Sequence, residues 1–199
     1  MAPKTVIEGS SFSASQLKEL FDQVANGTLN GAHLQAFIEH RNPFEVGGEE
    51  KLFNPHTYFK TREGLYVWNT FEQRILSEQK VSMPHRGLEG VTSHTLARNM
   101  TDTEIIDELL GGTEEVRKHA STLDQIATMI DLQPKGIDGE LLNNGYANIF
   151  YVLVNGVLFA VSVGWRLGRR RWRVGAWHLG AYGNWDAGIR VFRNTTLVI

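Results

Sequence analysis

Five arginines stand within eight residues of this 199-residue chain: Arg166, Arg169, Arg170, Arg171 and Arg173. Arginine presents its donors in a planar fork that matches phosphate and carboxylate oxygens, and the same plane stacks on aromatic rings. Trp172 and Trp177 follow at neighbouring strand positions. Guanidinium groups and flat aromatics on one β-ribbon suit nucleic acid, because the charges track the phosphate backbone while the rings stack on bases. An acidic protein is the other anionic partner such a patch accepts. Two plainer readings compete. The tryptophans fall in an alternating pattern that suits a core, and the arginines can serve only to solubilise a hairpin tip or to pair with acidic helices elsewhere in the chain.

The surrounding charge makes the cluster stand out. Residues 1–145 hold 13 Lys+Arg against 21 Asp+Glu, a net of −8, whereas residues 146–199 hold seven arginines against Asp186 alone, a net of +6. Four of the five tryptophans (Trp165, Trp172, Trp177 and Trp185) lie in the basic tail. Such asymmetry points to an anionic partner or to an internal electrostatic contact.

No other constellation rises to a catalytic motif. The seven histidines form no His-x-x-x-His pair on a helix and no His-x-Glu pair, so no metal site and no cofactor are expected. His85 and His94 share an irregular stretch with Arg86 and are the weak candidates for a general base, in a small hydrolase or nuclease whose carboxylates the fold would have to assemble. Asp102, Glu104, Asp107, Glu108, Glu114 and Glu115 crowd the starts of short helices, where the macrodipole favours them without any chemistry. Cysteine is absent, which excludes a disulfide framework, a thiolate nucleophile and Cys-based zinc. The N-terminus carries no signal-peptide core and no window reads as a membrane span, so a cytoplasmic protein is expected.

The elements that must position the arginines are legible from periodicity. Leu17, Leu20, Phe21 and Val24, then Leu34, Phe37 and Ile38, predict a helical hairpin over residues 13–41. Two prolines and two glycines in residues 43–56 read as a loop, and Tyr58–Lys60 and Gly64–Trp68 as short strands. Thr70 with Gln73, and Thr101 with Glu104, have capping-box spacing. Residues 81–94 read as irregular, and a longer helix is expected at about 114–132. After Gly145 the texture changes. The apolar run 147–154, the Asn155-Gly156 turn, and the alternating stretches 157–167 and 171–179 predict antiparallel strands, with Ile189–Phe192 as a fourth.

Leu34–Phe44, Phe59–Trp68 with Arg74–Leu76, and the tail from Val157 to Phe192 resemble segments of short uncharacterised bacterial proteins known from genome and metagenome surveys. Ala160-Val-Ser-Val-Gly-Trp165 and Trp172-Arg-Val-Gly-Ala-Trp177 carry most of the resemblance, which implies a bacterial origin and brings no activity, cofactor or partner.

The resulting expectation is an α+β protein: a flexible N-terminus at 1–12, a helix-rich acidic body at 13–145, and a basic Arg/Trp-rich antiparallel β-meander at 146–199 that can pack with the body as one domain. The expected function is non-enzymatic binding of an anionic partner, nucleic acid before an acidic protein. The alternatives are the histidine hydrolase or nuclease and a homo-oligomeric interaction module.

Overall fold

The apolar run Ala147–Val154 and the alternating run Val157–Arg166 form two strands joined at Asn155-Gly156, whose φ values of 47° and 77° are those a two-residue primed turn requires. A computed structural model describes residues 52–79, 83–84 and 87–195 of the chain, together with Lys18. The predicted hairpin over 13–41 therefore lies outside the described residues, Lys18 excepted. The chain divides into two units, residues 1–51 and 52–199, and the architecture below is that of the second.

In chain order its strands are β1 (Leu52–Phe53), β2 (Leu65–Val67), β3 (Met83–Pro84), β4 (Val91–Thr95), β5 (Met100–Thr101), β6 (Ala147–Val154), β7 (Val157–Arg166), β8 (Arg171–His178), β9 (Asn184–Trp185) and β10 (Arg190–Asn194). Five short helices intervene: α1 (Pro55–Tyr58), α2 (Asn69–Arg74), α3 (Asp102–Glu104, running into a π-turn at Ile105–Leu109), α4 (Thr113–Lys118) and α5 (Leu123–Leu132).

Six strands make one sheet in the order β2-β8-β7-β6-β10-β4. The β6–β7–β8 ladder is antiparallel, as expected from the tail. The fold class predicted from the sequence is nevertheless overturned. The sheet is mixed, with β2 parallel to β8 and β10 parallel to β6, and two of its strands come from the region expected to be a helix-rich body. Strands dominate, and the helices are short.

One buried side chain explains the departure from a meander. After β8 the chain does not turn back beside it, because Trp185 is buried on the sheet's second face, where its indole Nε1 donates to Asp102 Oδ1 at 2.8 Å. That anchor carries residues 179–189 across β7 and β6, so β10 docks on the far edge of β6 and the free edge of β8 is left to β2.

Both faces of the sheet are covered. On the first, Phe59, Phe71, Ile75, Leu123, Ile126 and Ile130 pack on the Leu65, Phe150, Val161, Val163, Trp172 and Val174 side of the strands. On the second, Met100, Ile105, Ile106, Leu110, Val116 and Trp185 pack on Ile149, Tyr151, Leu158, Ala160 and Val191. Burial on both sides is why β6 reads as a continuous apolar run rather than an alternation.

Local signals fared unevenly. The helix expected at 114–132 is broken in two, because Thr122 opens a second capping box in which its backbone N–H donates to Gln125 Oε1 at 3.0 Å. Thr70 caps nothing; its hydroxyl accepts from the Ala176 backbone N–H. The Thr101–Glu104 box is present. There the Thr101 backbone N–H, then Arg98, then the Thr101 hydroxyl hold the Glu104 carboxyl down at about 2, against an ordinary value of 4.5. The folded state thus favours the ionised form, so its contribution to stability is complete above pH 4.5 and is lost as pH falls from there towards 2. Denaturant midpoints measured across that window are expected to fall less steeply in Glu104→Gln than in the parent. Parallel curves would show that the box adds nothing.

Candidate functional site

The β7–β8 hairpin turns through a 3-10 turn at Leu167–Arg169 and a left-handed Arg170 (φ 47°). Side chains alternate across the strands, so every second residue of β8 shares a face. Trp172, Val174 and Ala176 enter the core of the first face, which leaves Arg171 and Arg173 on the second. The register places Arg171 opposite Arg166, and sets Arg173 between Gly164 of β7 and Tyr66 of β2. The layer that covers the second face packs on β6, β7 and β10 and leaves this corner open.

The result is a cleft of about 720 Å³ lined by Tyr66, Trp68, Arg166, Arg169, Arg171 and Arg173. The Arg171 guanidinium lies 4.5 Å from the centre of the Tyr66 ring, and that of Arg173 lies 4.3 Å from the Trp68 ring. These cation–π contacts hold the two guanidinium groups over the aromatic rings. Trp68 is itself braced edge-on by Trp177 at 5.6 Å, and Gly175 makes room for that pair: a Cβ there would come within 2.7 Å of Trp177 and 3.0 Å of Trp68. Gly164 differs, because a Cβ there would meet nothing nearer than the Tyr146 carbonyl at 3.8 Å.

Among the described residues no carboxylate pairs with any of the five hairpin arginines. The acids of α3 and α4 are engaged by their own neighbours: Glu104 and Glu108 hold Arg98 at 2.9 and 2.7 Å, and Glu115 holds Lys118 at 2.9 Å. Cross-strand like charges such as Arg166 and Arg171 repel. Arg173 is half-buried, and burial, followed by the Arg166 charge, lowers its pKa below the ordinary arginine value. A guanidinium remains charged regardless, so the cleft holds cations that an incoming anion would relieve.

The predicted site residues are placed unequally. Arg166, Arg169, Arg171 and Arg173 line the cleft. Arg170 faces grooves on the other side of the tip. Trp172 is 1% exposed, packs 5.2 Å from Trp165, and donates Nε1–H to the Gln133 carbonyl, leaving no ring face for a base. Trp177 is half-buried among Trp68, Tyr182 and Trp185. His94 is exposed on the edge strand β4, and His85 lies outside the described residues. Among the described residues no group of three His, Asp or Glu is placed to hold a metal, and no helix is long and apolar enough to cross a membrane.

Tyr66 and Trp68 were not anticipated as site residues. Their signal was present: Leu65 and Val67 alternate with them, so one face of a short strand is aromatic. What could not be seen was the partner, since β2 pairs with β8 across the whole intervening chain. Comparison with protein-family models, curated proteins and solved structures finds no match to this chain.

Proposed function

We propose that this protein is a non-enzymatic binder of single-stranded nucleic acid and that the cleft on the β2–β8–β7 corner is its site. The supporting observation is the set of four arginines that have no carboxylate partner among the described residues, two of them over the aromatic floor. Phosphates would be held by the guanidinium forks, and bases would stack on the guanidinium planes that lie over Tyr66 and Trp68. A duplex keeps its ring faces internal, whereas a single strand presents them, so a recessed floor of stacked planes suits the single strand. The proposed setting is the cytoplasm.

The test is fluorescence anisotropy with short single-stranded DNA and RNA over a salt series. Each phosphate contact to a single strand contributes about −0.7 to the slope of log K against log salt, so engagement of the cleft arginines predicts a slope of roughly −2 to −3. Gly164→Leu supplies the site control. A Cβ there meets only the Tyr146 carbonyl, at 3.8 Å, and the position stands directly opposite Arg173, so the leucine is expected to crowd the Arg173 guanidinium and binding to be lost with thermal stability maintained. No binding at about 50 mM salt, a condition that favours phosphate contacts, would overturn the proposal. Full binding by Gly164→Leu would move the site elsewhere.

A further inference from the structure

We infer that the strand does not end in the cleft but passes over the hairpin tip into a second phosphate-binding groove, built from Arg62, Lys135 and Arg170 and continuous with the first through Arg169 and Arg171. This rests on the single-strand reading above and adds to it a longer footprint with a separable second half.

The groove is of about 650 Å³, and five basic residues line it against a single acid, Glu63. Arg169 and Arg171 line both this groove and the aromatic cleft, so the two share a wall rather than facing opposite sides of the molecule. A neighbouring hollow over Trp172 adds Asp131 to the lining, but that carboxylate already accepts the Tyr58 hydroxyl at 2.7 Å. Arg62 is held in place by the Tyr58 carbonyl and by stacking on the Tyr58 ring at 4.7 Å, which fixes one fork at the groove's edge.

The backbone supplies an independent observation. Among the described residues three non-glycine residues have positive φ: Lys135 (58°), Asn155 (47°) and Arg170 (47°). Asn155 is at home in its hairpin turn. Lys135 and Arg170 are not residues that favour this conformation, which glycine or asparagine adopt with less strain. In the first turn Gly136 takes one left-handed position (φ 70°) and Lys135 the one before it; in the second Gly168 has no positive φ and Arg170 takes the left-handed position, so both turns place a cation in this conformation, and the two line the same groove. Strained backbone maintained against an easier residue marks positions where the side chain is needed, and here the shared property of the two side chains is positive charge.

Lys135→Asn with Arg170→Asn tests this without disturbing the fold, because asparagine tolerates the left-handed conformation and removes both charges. Two probes are compared by anisotropy over a salt series: a trithymidylate that fits the aromatic cleft, and an oligothymidylate of about twelve nucleotides, within the roughly 4–16 that single-strand sites of comparable size cover. The variant is expected to bind the trithymidylate as the parent does. For the longer probe its salt slope should be shallower by about 1.4, two contacts' worth, with affinity roughly tenfold or more lower at low salt. An unchanged slope with the longer probe overturns the second groove and leaves the cleft standing. Equal weakening of both probes also overturns it, since the two grooves would then be one site. If the parent binds neither probe, the single-strand reading fails and this inference with it.

Discussion

Arg171→Ala combined with Arg173→Ala is expected to weaken single-strand binding about a hundredfold while leaving stability within ~1 kcal/mol of the parent. The two halves of that expectation come from different terms. A hydrogen bond from a charged donor contributes about 1.5–3 kcal/mol, so losing two phosphate contacts costs roughly 3 kcal/mol of binding, or two decades. In the free protein the same two guanidiniums stack on Tyr66 and Trp68, each stack being worth about 0.5–1 kcal/mol. Against this, Arg171 faces Arg166 directly across the ladder, and Arg173 is desolvated and repelled by Arg166. Cross-strand like-charge repulsion is of the same order as the stacking, so the terms nearly cancel. Titration calorimetry or anisotropy on the double variant, paired with its melting temperature, checks both. A variant that binds like the parent would remove these arginines from the site. One that melts many degrees lower would show that they are structural instead.

The balance between those terms also indicates what was legible beforehand. The arginines were visible as a cluster because charge needs no fold to be counted, and the two hairpins were visible because Asn155-Gly156 and strict alternation are local signals. Their facing was also legible: Trp172, Val174 and Ala176 on one side dictate Arg171 and Arg173 on the other. The rest depended on pairings that leave no local trace. β4, Val-Thr-Ser-His-Thr, is a polar edge strand with no apolar period to detect, and β2 is three residues long. Neither would be stable alone, and both exist because β10 and β8 offer unpaired edges. The aromatic half of the cleft arrives with β2, so it could not be placed before the sheet order was known. The acidic helices misled in the opposite direction. Their charge suggested a partner for the arginine hairpin, whereas Arg98 and Lys118 pair with them locally.

The sheet order itself is expected to fail first at Asp102. This carboxylate is 1% exposed, and its hydrogen bonds among the described residues hold the crossover that sends β10 to the far edge of β6. Oδ1 accepts both the Trp185 indole N–H at 2.8 Å and the Tyr151 hydroxyl at 2.9 Å, while Oδ2 accepts the Gly180 backbone N–H at 2.7 Å. Burial and the adjacent negative charge push the Tyr151 phenol well above its ordinary value, so it stays a donor throughout the working range. Asp102→Ala strands two buried donors, each costing about 1–3 kcal/mol, and frees Gly180; a loss of about 3–4 kcal/mol is expected, a large share of a typical stability of 5–15 kcal/mol. For a chain of this size that is on the order of 10 °C in melting temperature. Asp102→Asn separates geometry from charge. With its oxygen in the Oδ1 position the amide still accepts from Trp185 and Tyr151, and only its NH₂ faces the Gly180 donor, so the cost should be nearer 1–2 kcal/mol. The ordering parent, Asn, Ala is the content of the prediction, with near-ultraviolet circular dichroism of Trp185 fading in step. If Asp102→Ala melts with the parent, the buried carboxylate does not hold the crossover, and the docking of β10 beside β6 must come from its backbone pairing and the apolar packing of Val191 and Phe192.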